Sequence, residues 1–250
     1  MACTGDIRTL VDYLNYSNAS TVDARFCSLF SECIQLTSAP ELPATTLAEY
    51  CYSGMFTYCI RLTEAPALPA TTLAKECYSN MFEGCTSLNT VPTLPAETLA
   101  VGCYSSMFKY CEVLAQAPAL PAETLAESCY HSMFLNCEVL TQAPALPAMA
   151  LAVDCYENMF FGCTNLTTAP ELPAKTLAAG CYSGMFRVCK NLKNVTMLAT
   201  DISAESCLSY WLYEVAKEGT FTKAAEMTSL PSGDGDASIP SGWIVQDYTE

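Results

Sequence analysis

Histidine is almost missing from this sequence: His131 is the only one in 250 residues. Its equivalents in the rest of the chain are Ser53, Ser79, Ser105, Glu157 and Ser183. A position that accepts Ser and Glu is a solvated one. No Cys–His or Ser–His arrangement pairs a nucleophile with a base, and no glycine-rich phosphate loop occurs. No enzyme is expected, and no cofactor is implied. Basic side chains are scarce as well, 11 against 26 acidic ones, for a net charge of −15. Phosphate-rich partners reward Lys and Arg, so neither nucleic acid nor anionic lipid is an expected partner. No apolar run reaches the roughly 20 residues that span a bilayer, so direct membrane insertion is not expected. A basic start followed by an apolar stretch is also lacking, and nothing apolar precedes Met1-Ala2-Cys3 as a lipoprotein signal would require. That leaves a trimmed chain, a mature product or a protein that never used secretion.

What the chain does have is a unit of 26 residues, clear at Cys51 to Glu76: CYSGMFTYCIRLTEAPALPATTLAKE. The leading Cys recurs at 51, 77, 103, 129, 155, 181 and 207. A fixed period of this size is the signature of stacked repeats. Leu47, Cys51, Met55, Cys59 and Leu62 are spaced 4, 4, 4 and 3, which on a helix makes one buried stripe flanked by Tyr52 and Phe56. Thr46, Thr72, Thr98, Thr124 and Thr176 stand where a helix N-cap is expected, with Glu49 and Glu127 completing capping boxes. Ala150 breaks that column. After the helix comes LTEAPAL, an extended segment that Pro66 keeps short and Pro69 ends. No unit can bury its apolar side alone, so the units stand or fall together. Strands spaced about 5 Å apart beside helices spaced about 8–10 Å apart predict a curved stack with the extended segments inside.

The 16 cysteines suggest a disulfide framework, but the spacing argues otherwise. Residues eight apart lie about 12 Å apart along a helix, and disulfides need Cα atoms within about 7 Å. The gap is also wrong for zinc knuckles. Buried thiols acting as small hydrophobes are expected, with a minority of bridges as the alternative that a thiol count decides. The Tyr52, Tyr78, Tyr104, Tyr130, Tyr156 and Tyr182 column is either core or a stacking ladder for sugars, and its place beside the buried stripe favours core.

Residues 1–24 do not match the repeat; Ile7, Leu10, Val11 and Leu14 predict a short amphipathic helix in an N-terminal cap. Residues 25–206 hold the solenoid, one degenerate unit and six clear ones. In the degenerate unit Phe26, Leu29, Phe30 and Cys33 keep the register and Cys27 does not. In the last unit Thr196 replaces the first Pro, Ala199 the second, and Ser203 the Leu of the helix. Residues 207–250 read as a C-terminal cap: a helix over Ser206 to Lys217, then strands at GTFTKAA and GWIVQDY around a Pro- and Gly-rich loop. Asp234-Gly235-Asp236 in that loop lacks the later ligands of a calcium site. Glycosylation triplets begin at Asn15, Asn18, Asn165 and Asn194, the last two inside repeats that already explain them.

The pattern MFxGCTSLTTAPxLP resembles the BspA-like leucine-rich repeat in its CYSxMF-rich variant, and the closing stretch resembles the cap that follows such repeats. The resemblance spans nearly the whole chain. It implies an α/β leucine-rich-repeat solenoid, curved, with short strands inside, short helices outside and a cap at each end. It also implies adhesion or protein interaction at an extracellular or cell-surface location, without naming a ligand. The expected role is thus non-enzymatic recognition of a protein or glycan. The alternative is a structural or host-attachment part of a phage particle, with the virion as its location. Solenoids bind through the extended face, where the variable column Ser38, Glu64, Thr90, Gln116, Gln142 and Thr168 is the candidate site. Beside it runs Glu41, Ala67, Thr93, Ala119, Ala145 and Glu171. Aromatic and Arg anchors are absent from both columns, so weak, polar, multivalent contacts are expected.

Overall fold

In the computed structural model, which describes residues 1–11, 14, 26–228, 230 and 236–249, the units stack as coils in register. The expected outer helices are not there. Among the described residues the only helical element is a 3₁₀ turn at Ile7–Leu10. The segment read as a helix is instead a run of tight turns. Ser53, Met55, Thr57 and Cys59 donate their N–H groups to carbonyls three residues back. The alternate residues Tyr52, Gly54, Phe56 and Tyr58 donate to Cys77, Ser79, Met81 and Glu83 of the next coil at 2.7–3.0 Å. In this segment the N–H groups alternate between bonds within the coil and bonds to the next coil, which meets the demand a helix would otherwise meet.

The turns repeat every four residues, and φ is positive at Tyr50, Gly54 and Tyr58 and at their equivalents along the stack. This period explains the 4, 4, 4 spacing better than 3.6 does. The stripe is buried as expected, with Cys51, Met55 and Cys59 at 0% exposure, but on a turn ladder. Thr46, Thr72, Thr98, Thr124 and Thr176 cap nothing, and Glu49 and Glu127 complete no capping box. The Thr column bridges coil to coil as parallel β pairs, Thr46 with Thr72 and Thr98 with Thr124, and Ala150 takes its place in the column opposite Thr124. Helix spacing was the premise of the expected curvature. Here the turn side is hydrogen-bonded directly from coil to coil, so that premise is gone.

In-register stacking lines up identical side chains. The Tyr column stacks at 5.7–6.0 Å between ring centroids. The Phe column stacks at 5.6–5.8 Å from Phe30 to Phe186. Each such contact adds about 0.5–1.5 kcal/mol to the burial of the rings. The six Tyr rings are core, at most 1% exposed, and no sugar can reach them. Phe26 and Phe30 extend both columns into the degenerate unit, as its register predicts.

All 16 cysteines are free. Helix spacing does not keep them apart, since equivalent cysteines sit on adjacent hydrogen-bonded coils; burial and bonding explain the free thiols better. The second Cys of each unit donates S–H to the Phe carbonyl of the preceding coil, Cys85 to Phe56 and Cys111 to Phe82, at 3.1–3.2 Å. The same Phe56 and Phe82 carbonyls accept the N–H groups of Cys59 and Cys85.

Extended structure is confined to single bridges wherever Pro66 and its equivalents remove a donor. The sixth unit carries Thr196 at that place, and there a continuous strand forms: β1, Asn194–Met197. It pairs in parallel with β2, Gly219–Lys223, which pairs with β3, Trp243–Asp247. The two C-terminal strands match the expectation; the helix over Ser206 to Lys217 does not, because turns continue there. The sixth unit also re-registers. Met197 bridges Leu172 and Asp201 bridges Thr176. Ala199 is therefore the partner of Ala174 rather than of a proline, and Ile202 rather than Ser203 follows the Leu column. At the other end the chain joins the ladder through bridges from Ala2 to Ser38 and Asp6 to Glu41. Ile7 is buried, but Leu10, Val11 and Leu14 are exposed; among the described residues the expected amphipathic helix is a single turn with one buried residue. The triplets at Asn15 and Asn18, and Asp234-Gly235, lie outside the described residues.

Candidate functional site

The candidate column lies on the bridge face. Glu64 pairs with Thr90, Gln116 with Gln142, Ser38 with Ala2 and Thr168 with Asn194. Ser38 is partly covered and the other five are exposed. Parallel pairing brings these residues together at one coil spacing, with Leu62 buried and Glu64 exposed two residues on. The neighbouring column, from Glu41 to Glu171, is exposed throughout. It borders shallow clefts of about 330, 420 and 510 Å³ between successive Pro-Ala turns, where Pro66, Pro144 and Pro170 form the walls. The face is thus a polar stripe beside a periodic, apolar, proline-lined edge.

The opposite face holds what the sequence reading did not place. Tyr58, Tyr110, Tyr210 and Tyr213 are 36–44% exposed on the turn ladder. Lys75 sits over Tyr50 and Lys109 over Tyr110. Arg187 lies 5.3–5.4 Å from the centroids of Phe161, Tyr210 and Tyr213. Aromatic–cation pairs of this kind are the residue types of interaction hot spots. Their signal in the sequence is one variable position of the repeat, held by Glu83, Lys109, Phe161, Arg187 and Tyr213.

His131 faces Glu157 at 3.6 Å, both partly exposed. Burial raises the Glu157 pKa, opposed by the charge of His131. The equivalent Ser79 is buried, so this column is not the solvated one its residue types suggest. Among the described residues no group of three or more His, Cys, Asp or Glu could hold a metal ion, and no helix is long and apolar enough to cross a membrane.

No family model matches the chain, and no curated protein does. Among solved structures, the chain is similar to the crystal structure of a leucine-rich repeat protein of T. pallidum. The two are 17% identical, with 79% of this chain and 81% of that one covered and a TM-score of 0.41. A likeness that loose decides neither fold nor function.

Proposed function

We propose that the chain is a non-enzymatic recognition module of the BspA-like leucine-rich-repeat kind, acting at a cell surface. It holds a protein or glycan through the bridge face. The observation that carries this reading is the exposed column Glu64, Thr90, Gln116, Gln142 and Thr168, repeated at coil spacing on a core of stacked rings. A rigid backbone lowers the entropy lost on binding, and repetition lets weak polar contacts add up.

The test is retention on immobilised bacterial glycans, mucin and matrix proteins, at low and physiological salt. The triple variant Glu64→Lys, Gln116→Lys, Gln142→Lys should lose retention that the native chain keeps at physiological salt. Retention unchanged in the variant removes this face from the reading; no retention of the native chain on any of these surfaces overturns the bridge-face reading. A structural or host-attachment part of a phage particle is the second reading. Sixteen free thiols favour it, because they suit assembly in a reducing compartment. Co-purification with particles separates the two.

A further inference from the structure

We propose that the C-terminal end of the stack carries a second binding site, a cleft for a neutral oligosaccharide. The cleft of about 700 Å³ exists because the core columns stop there. The buried Cys column, last occupied by Cys189, continues as Val215, and the buried Leu column, last occupied by Leu192, continues as Glu218. Residues 238–242 come back to form the opposite wall.

Two indoles hold the walls in place. Trp243 Nε1 donates to the Ala216 carbonyl at 2.7 Å on one side, and Trp211 Nε1 donates to the Ala237 carbonyl at 3.3 Å on the other. Gly242 closes the end against the Lys217 carbonyl, which a Cβ at that position would strike. Such a cleft is preformed rather than made by the ligand.

Its lining names the ligand class. Lys190, Lys217, Ser238 and Ser241 supply donors; Glu214 and Glu218 supply acceptors. None of the four charged groups is ion-paired among the described residues. Two positive and two negative charges leave the lining with no net charge, which favours a neutral ligand. Tyr213 lines the cleft and is 42% exposed. Its ring is fixed by Arg187 over its face and by the edge of Tyr210 at 5.9 Å. A pre-set aromatic ring among mixed donors and acceptors fits the C–H face and hydroxyl groups of a neutral sugar chain.

The site is separate from the bridge-face column and stands if that column binds nothing. The full chain is titrated with neutral hexasaccharides (malto-, cello-, xylo- and chito-series) and read by saturation-transfer NMR and calorimetry. At least one series should bind. Tyr213→Ala should weaken it about tenfold or more, the contribution of one stacking ring, and Tyr213→Phe should retain it. Ser241→Trp, at an exposed position on the opposite wall, fills the cleft and should abolish binding. The triple Lys variant of the bridge face should bind as the native chain does. No binding of any series overturns the proposal, as does binding unaffected by Ser241→Trp or binding only of an acidic oligosaccharide such as oligogalacturonate.

Discussion

Gly84 sits at φ +70°, and a Cβ there would run into the ring of Tyr58 in the preceding coil. Gly84→Ala therefore combines left-handed strain of about 1–2 kcal/mol with a steric conflict, and the urea midpoint should fall clearly. Val188 holds the same position in a later coil at φ 64°, where a β-branched side chain is poorly suited. Val188→Gly should leave the midpoint unchanged or raise it, against the usual cost of introducing glycine. A large fall for Val188→Gly would mean that the positive φ at this position is not the controlling constraint.

These residues also mark the limit of what the sequence revealed. The period, the buried Tyr, Phe, Met and Cys columns and the break at each proline were all legible, because identical residues 26 apart must meet their copies in a stack. The turn ladder was not read, although its signal was there: Gly54, Asn80, Gly84, Asn136 and Gly162 lie on positions four apart within the repeat. Gly and Asn tolerate positive φ and serve helices badly. Hydrophobic spacing alone cannot separate a 4.0 period from 3.6 over three turns.

At the scale of the element, the cysteine columns tie stability to pH. Burial pushes the thiols of Cys77, Cys129, Cys137 and Cys181 up to about 12 from the usual 9.0. Burial does the same, more strongly, to Cys103, Cys111 and Cys163, and neighbouring thiols add to it. In the unfolded chain these groups lose their protons above about pH 9; in the folded chain they keep them. The unfolded state then binds fewer protons, so stability is complete below about 9 and falls as pH rises toward 12. Each deeply buried thiol costs about 1.4 kcal/mol per pH unit in that window, against a typical total of about 5–15 kcal/mol. The melting temperature should be level through neutral pH and collapse within about one unit above pH 9. A level melting temperature through about pH 10.5 would contradict the buried, protonated columns.

The bridge-face column was legible because it varies between constant neighbours. The C-terminal cleft was not. It assembles Lys190, Tyr213 and Ser241 from segments that share no repeat position, and only the end of the stack brings them together.

The whole molecule is a one-dimensional stack, so its tolerance of deletion follows the period. Removing one complete unit, residues 103–128, should rejoin Gly102 to Cys129 in register. That chain should stay folded and cooperative with a lower melting temperature. Removing half a unit, 103–115, sets turns against bridges and should abolish cooperative unfolding. Equal outcomes for the two deletions would mean that the coils are not in register.

Hydrogen-bonded turns, not helices, form the side of the stack opposite the bridge face. Far-UV circular dichroism of the full chain tests it directly. The turn ladder predicts a spectrum without the double minimum of α-helix, since the described residues contain one short 3₁₀ turn and three short strands. A strong helical double minimum would contradict it and restore the helix in every repeat.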